Sequence, residues 1–147
     1  MTQETFLKES KSYIDSLYDE FKEYQSMVWD LFRFFNELCR KNDLHYYMGF
    51  GSLIGVVRDG GNIPWDYDID VIIRIDDLDR LIQLLETKIP DNLYYVFLNN
   101  LHDYPTTCLR ICKKGYPFTS IHLDVFLLIG NPDEEAESFV KQIDYFH

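Results

Sequence analysis

Apolar side chains at Leu17, Phe21, Tyr24, Val28, Leu31, Phe35 and Leu38 recur at steps of 4, 3, 4, 3, 4 and 3. Such spacing keeps one stripe on one side of a 3.6-residue turn, and predicts a long helix from about residue 13 to Arg40. Met27, Phe32 and Cys39 widen the stripe beyond the narrow seam of a two-stranded coiled coil. The helix is therefore expected to cover a sheet rather than to pair with a partner helix. The polar triplet Lys41-Asn42-Asp43 ends it, and Tyr46-Tyr47-Met48 reads as a short strand.

The pattern then shortens. Gly49-Phe50-Gly51-Ser52 is a turn in which Ser52 is expected to cap a short helix, Leu53 to Val57. Asp59-Gly60-Gly61-Asn62 is a loop signal, and Ile63-Pro64-Trp65 leads into Asp68-Ile69-Asp70-Val71-Ile72-Ile73, an alternating acid/apolar strand that becomes fully apolar. Asp76 precedes a helix of about Leu78 to Lys88, closed by Pro90. Three further strands are expected at Tyr94 to Leu98, Thr107 to Cys112 and Ile121 to Leu128. Strands alternating with helices after a long N-terminal helix predict a mixed α/β domain, with neither repeats nor low-complexity tracts. At 147 residues the chain is expected to form one domain.

Composition narrows the class. Apolar residues at 46% and aromatic residues at 16% exclude intrinsic disorder and a collagen-like fibre. A formal net charge of -11 repels a phosphate backbone and argues against a nucleic-acid binder. The excess is concentrated: residues 59–79 hold seven acids and one base, and residues 131–140 hold four acids and no base. The second segment is expected to be a solvated terminal face. Three cysteines, an odd number, and an N-terminus without an apolar run suggest a cytoplasmic location. No apolar run is long enough for a membrane span. Cys108 and Cys112 are read as structural rather than metal-binding, since no second Cys/His pair has matching spacing. His122 is read as a packing or hydrogen-bonding neighbour of Asp124.

The candidate chemistry lies in the first acidic segment. Alternate residues of a strand share a face, so Asp68 and Asp70, with Asp66 just before them, point the same way. On the later strand Ile121, Leu123, Val125 and Leu127 form one face and leave Asp124 on the other with His122 and Phe126. Two carboxylates about 4 Å apart repel by roughly 4 kcal/mol at an effective dielectric near 20, so such a cluster wants a cation. Hard oxygen ligands suit Mg²⁺ or Mn²⁺. A Gly-rich helix start upstream can bind phosphate through its backbone N–H groups. Together these features describe metal-assisted attack on a nucleotide-linked phosphate.

The run Tyr47-Met48-Gly49-Phe50-Gly51-Ser52-Leu53-Ile54-Gly55-Val56-Val57-Arg58, followed by Asn62-Ile63-Pro64-Trp65-Asp66-Tyr67-Asp68-Ile69-Asp70, closely resembles the core of the LicD/fukutin family. That family's pattern has a Gly-Gly-Thr-Leu-Leu-Gly turn, an arginine, and a Pro-Trp-Asp-x-Asp-Ile-Asp stretch. Cys39, the Leu109-Arg110-Ile111 strand and the His122-Leu123-Asp124-Val125-Phe126 strand extend the resemblance over about residues 28 to 129. Ser52 stands where many members have Thr, which keeps the hydroxyl. The chain also stops at His147, earlier than members usually do, so the C-terminal part is expected to be missing.

The resemblance implies a nucleotidyltransferase fold of the DNA polymerase beta type, with a mixed sheet flanked by helices. It implies transfer of phosphocholine, or a sugar-alcohol phosphate, from a CDP-activated donor to a glycan or teichoic-acid-like acceptor, with release of CMP. Asp68 and Asp70 would bind Mg²⁺ or Mn²⁺, with Asp66 as a further ligand and Asp124 as ligand or general base. Gly51 and Ser52 would hold donor phosphate, and Arg58 or Arg110 would balance its charge. Trp65, Tyr67, Tyr46 and Tyr47 are expected mainly to pack, although an aromatic face can hold a quaternary ammonium for about 0.5 to 2 kcal/mol. Two other readings remain: a nucleotidyltransferase passing NMP from an NTP to a small molecule or protein, and a truncated, non-catalytic nucleotide-binding module.

Overall fold

A computed structural model describes residues 3–63, 65–97 and 108–130. Helix α1 runs Gln3–Lys41, followed by strand β1 Tyr46–Met48, helix α2 Phe50–Asp59 and strand β2 Asp70–Arg74. A 3-10 turn, Ile75–Asp77, leads into helix α3 Leu78–Lys88. Strands β3 Leu93–Val96, β4 Leu109–Lys113 and β5 His122–Leu128 complete the order. The five strands form one sheet in the order β1-β2-β5-β4-β3. β2 and β5 run parallel, and the other three pairings are antiparallel. The fold is therefore mixed α/β, as the alternation of periods predicts.

α1 follows its apolar stripe. Val28, Leu31, Phe35, Leu38 and Cys39 are buried against the sheet, with Tyr24, Met27 and Phe32 packed at the margin. Its backbone begins ten residues earlier than the stripe predicts, and the Leu17 side chain lies outside the described residues. Asp43 adopts φ 51, and the main-chain N–H groups of Asn42 and Leu44 both donate to the Cys39 carbonyl (3.1 and 3.0 Å). The Asn42 side chain donates to the Leu38 carbonyl at 2.6 Å, so the polar triplet satisfies the last open carbonyls.

Strand periodicity divides the sheet into two faces. Val71 and Ile73 of β2, Leu109 and Ile111 of β4, and Leu123 and Val125 of β5 enter the core, together with Leu81 and Leu85 of α3. The alternate positions Asp70, Ile72, Arg110, Cys112, His122, Asp124 and Phe126 point to the other face. There a smaller apolar cluster of Val96 and Cys112, with Tyr94 and Phe118 against it, covers the β3–β4 end. The acids occupy the β2–β5 centre of the same face.

Strand ends differ from expectation by one or two residues. β2 begins at Asp70 because Asp68 and Ile69 precede the ladder, although the Ile69 carbonyl already accepts from the Asp124 N–H at 3.1 Å. Leu98 and Thr107, expected strand ends, lie outside the described residues, as does the acidic segment 131–140. All three cysteines are buried, and burial pushes the Cys39 and Cys112 thiols up to about 12, so these two are inert packing groups at neutral pH. No helix among the described residues is long and apolar enough to cross a membrane.

Candidate active site

The strand register brings the distant acids together. Asp70 of β2 lies directly beside Asp124 of β5, and Asp124 lies beside Arg110 of β4. Three adjacent strands thus present an Asp-Asp-Arg row on one face. Arg110 closes on Asp124 as a fork, with Nε donating to Oδ1 at 2.6 Å and Nη2 to Oδ2 at 3.1 Å. Both side chains are largely buried, at 15% and 9% exposure, so the pair is shielded from solvent screening. The third guanidinium nitrogen, Nη1, donates to the Phe118 carbonyl at 3.5 Å.

Asp66 and Asp68 join this row from the segment entering β2, and both are half-buried. Burial, followed by the charge of Asp66 and a hydrogen bond with it, then Asp124, raises the Asp68 carboxyl to about 6. Burial and the charges of Asp68, Asp124 and Asp66 raise Asp70 to about 7, against a lowering influence from Arg110. Four carboxylates thus share one neighbourhood with a single buried guanidinium, already bonded to one of them. His122 does not supply a second cation. Burial first, then Arg110, lower its pKa against the raising effect of Asp124, so the 3.8 Å approach of Nε2 to Asp124 is made by a neutral ring.

The α2 end of the site departs from expectation. Ser52 is not the cap: α2 starts at Phe50, its N-cap is Gly49, and no side chain caps it. The reason is competition for the hydroxyl. Ser52 is buried inside the first turn, where its Oγ accepts the main-chain N–H of Asp70 at 2.9 Å. Leu53 donates to the Gly49 carbonyl, which leaves the N–H groups of Phe50, Gly51 and Ser52 without helical acceptors. No acid sits in this first turn. A Cβ at Gly51 would lie 2.8 Å from Asp66 Oδ2, the flexible end of that side chain, so the glycine lets the Asp66 carboxylate come close to the first turn of α2. At Gly55 a Cβ would lie 2.5 Å from the Gly61 carbonyl oxygen, so the loop after α2 can fold back onto the helix only over a glycine.

Arg58 stands apart from the row. It lies in the last turn of α2, paired with Asp59 at 2.8 Å, and its guanidinium carbon is 6.0 Å from the Trp65 ring centroid. Three aromatics expected to pack are instead open: Trp65 is 73% exposed, Tyr47 59% and Tyr67 54%. They sit on the outer strand face or in the irregular segment before β2, where no element among the described residues covers them. Tyr46 does pack, against Phe35 and Phe32, with its hydroxyl bonded to Asn36 Oδ1 at 3.0 Å.

Two contributors escape sequence reasoning. Gln25 of α1 donates from Nε2 to the Asp66 carbonyl at 2.7 Å and to the Ile63 carbonyl at 3.4 Å, fixing the acid-bearing segment to the helix. Phe50 holds φ 42, costly for a bulky side chain, and packs edge-on against Phe126 with centroids 4.8 Å apart. A polar residue beside an apolar stripe and an aromatic next to a glycine carry no distinguishing signal.

The donor set consists of carboxylate oxygens, which suits a hard divalent cation. Among the described residues no three His, Cys, Asp or Glu side chains converge into a complete cage.

Residues 43–142 match the family model described as LicD/FKTN/FKRP, nucleotidyltransferase domain. The chain is 36% identical over 63 residues to lipopolysaccharide cholinephosphotransferase LicD of Haemophilus influenzae, covering 43% of this chain and 24% of that protein. It is 44% identical over 41 residues to ribitol 5-phosphate transferase FKRP of Homo sapiens, covering 28% of this chain and 8% of that protein. Over 70 residues it is 30% identical to mannosyltransferase regulator 4 of Saccharomyces cerevisiae, covering 48% of this chain and 6% of that protein. The matched stretches thus span a quarter or less of these relatives. With the family model covering most of the chain, and the motif acids gathered on one sheet face, this chain belongs to the LicD/FKTN/FKRP nucleotidyltransferase-domain family.

Proposed function

We propose that this chain carries the transferase centre of a metal-dependent enzyme that moves phosphocholine, or a related alcohol phosphate, from a CDP-linked donor to a glycan hydroxyl. The observation that carries the reading is the four-carboxylate neighbourhood of Asp66, Asp68, Asp70 and Asp124, which holds only one internal guanidinium. Relatives named for cholinephosphate and ribitol 5-phosphate transfer support the substrate class. The nucleotidyltransferase description of the matched family supports the nucleotide-linked donor and a polymerase-beta-like fold.

Asp68 and Asp70 would hold Mg²⁺ or Mn²⁺, with Asp66 beside them. The bound cation would supply neutralisation of the donor phosphate charge, which these acids would otherwise repel. The N–H groups of Phe50, Gly51 and Ser52, which have no helical acceptor, would form a phosphate cradle at the start of α2, whose first turn carries no acid. Arg110 orients Asp124, and each Asp124 oxygen keeps a lone pair beyond the one bonded to Arg110. That carboxylate takes the acceptor proton as the acceptor oxygen bonds to phosphorus, the bond from phosphorus to the CMP oxygen breaks, and CMP leaves with its electron pair.

The test is a thermal-shift panel of CDP-choline, CDP-ribitol, CTP and ATP, each with and without Mg²⁺ or Mn²⁺. A shift requiring both the metal and one CDP donor is expected. Shifts with CTP or ATP alone, and release of pyrophosphate rather than CMP, would replace this reading by NMP transfer from an NTP. The family's nucleotidyltransferase description keeps that second reading in view.

A further inference from the structure

We propose that Ser52 is a positioning residue for Asp70, substituting for a rung of the β1–β2 ladder that the start of α2 removes. This inference rests on the reading of Asp70 as a site carboxylate. In the observed register Tyr47 pairs with Ile72 and Met48 with Val71, so the next opposed pair is Gly49 and Asp70. Half of that pair's hydrogen bonding is present, since the Gly49 N–H donates to the Asp70 carbonyl at 2.9 Å. In a continuing antiparallel ladder the Asp70 N–H would return to the Gly49 carbonyl. That carbonyl is taken: Gly49 is the N-cap of α2, and its oxygen accepts the Leu53 N–H at 2.9 Å.

The strand therefore faces a conflict at the residue that carries a site carboxylate. A main-chain N–H at a half-buried position needs an acceptor, at a cost of about 1 to 3 kcal/mol if it finds none. Ser52 resolves the conflict. Placed in the first turn of α2, it directs Oγ back to the Asp70 N–H at 2.9 Å, with only 3% of the residue exposed. Both main-chain polar groups of Asp70 are then bound to the Gly49–Ser52 turn.

The other strand edge is fixed too. The Ile69 carbonyl accepts from Asp124, and Asp70 lies beside Asp124 in the parallel register. Asp70 is thus clamped between α2 and β5, and its Cβ direction is set by main-chain bonds on both sides. A hydroxyl is required for this latch, whereas its extra methyl is not. A threonine at this position would satisfy the same demand.

The test compares Ser52→Ala and Ser52→Thr in the whole chain by amide hydrogen exchange at Asp70, urea unfolding and Mn²⁺ binding followed by electron paramagnetic resonance. Ser52→Ala is expected to speed Asp70 amide exchange at least tenfold, with Ile72 unchanged, and to weaken Mn²⁺ binding by about tenfold, as loss of an outer-shell partner does. Ser52→Thr is expected to restore both within about twofold. Unchanged Asp70 exchange in Ser52→Ala overturns the latch. Faster exchange with undiminished Mn²⁺ affinity overturns the positioning role, as does a loss confined to nucleotide affinity, which would make Ser52 a direct phosphate contact only. Failure of the wild-type chain to bind Mn²⁺ is distinguishable: it overturns the metal reading of the site, and with it the consequence assigned to the latch.

Discussion

Arg110→Met should be the most damaging single change on the site face, and the reason can be worked from the fork it removes. The guanidinium gives Asp124 two hydrogen bonds, at 2.6 and 3.1 Å, in a place where the carboxylate is 9% exposed. Removing one partner of a buried pair leaves the other charge uncompensated, at a cost of about 3 to 5 kcal/mol. Proton uptake by the neighbouring acids returns part of this, so a loss of about 3 kcal/mol is expected near pH 7. At about 3 °C per kcal/mol for a chain of this size, Tm should fall by roughly 10 °C. Adding Asp124→Leu should recover most of the loss, because an apolar pair of similar volume needs no hydrogen bonds and the repulsion on Asp68 and Asp70 also falls. Urea unfolding of the two single variants and the double variant gives the coupling, expected at about 2 kcal/mol or more. Arg110 also holds the Asp70 pKa down, so in Arg110→Met the Asp70 carboxyl should titrate above its value of about 7 when followed by carbon NMR. A cost below about 1 kcal/mol for Arg110→Met, with Asp70 titrating as before, would refute the view that this arginine is the internal counterion of the cluster.

The raised carboxyls set the direction of the pH dependence. Asp70 and Asp68 bind protons more tightly in the folded chain, at about 7 and about 6 against an ordinary 3.8, so the stabilisation by protonation is complete below about pH 4 and is lost as pH rises through 6 and 7. Without divalent cation, stability should fall by on the order of 2 kcal/mol between pH 5 and pH 8 once solvent screening of these half-buried groups is allowed for, and Tm should fall with it. Millimolar Mn²⁺ should restore Tm at pH 8, and a flat profile would count against the cluster. Asp70→Asn should stabilise the metal-free chain at pH 8 while abolishing both the Mn²⁺ shift and turnover; retained turnover would remove Asp70 from the site. Gly51→Ala should cost less than about 1 kcal/mol, because the group it meets is the mobile end of Asp66 and the helix gains from alanine, yet it should weaken Mn²⁺ binding. Gly55→Ala meets backbone at 2.5 Å and should cost more than about 2 kcal/mol in urea unfolding. Equal costs at the two glycines would contradict the packing described for α2.

The elements legible in the sequence were those whose periodicity is enforced by burial on one side. The stripe from Phe21 to Leu38 placed α1 on the sheet, and the alternation at Asp70 to Ile73 and His122 to Leu127 assigned each side chain to a face. Strand order was not legible, because the neighbour of β2 across the sheet is β5, fifty-odd residues away, and pattern carries no information about pairing at that distance. The same reasoning explains the aromatics. Trp65, Tyr67 and Tyr47 look like core residues by type, but type records only the cost of exposure, not whether the tertiary fold brings an element to cover the side chain.

Ser52 shows where sequence reasoning about a polar side chain stops. A serine just after a glycine turn and before an apolar run has two competing acceptor roles, the helix N–H groups ahead of it and whatever N–H the tertiary fold brings alongside. Local pattern favours the first, and only the β1–β2 register reveals the Asp70 N–H stranded by the Gly49 cap. Arg110 is a parallel case. Its type suggests a phosphate partner, yet register opposes it to Asp124, and a buried carboxylate at 2.6 Å takes precedence over a ligand that must first be brought from water. The acids were visible as a charge excess over residues 59–79, but their purpose depends on how far that charge is cancelled from within. One fork cancels one carboxylate. Asp66, Asp68 and Asp70 remain; burial and the charge of their neighbours raise the Asp68 and Asp70 carboxyls, and under the proposed function a divalent cation would relieve that repulsion where water alone does not.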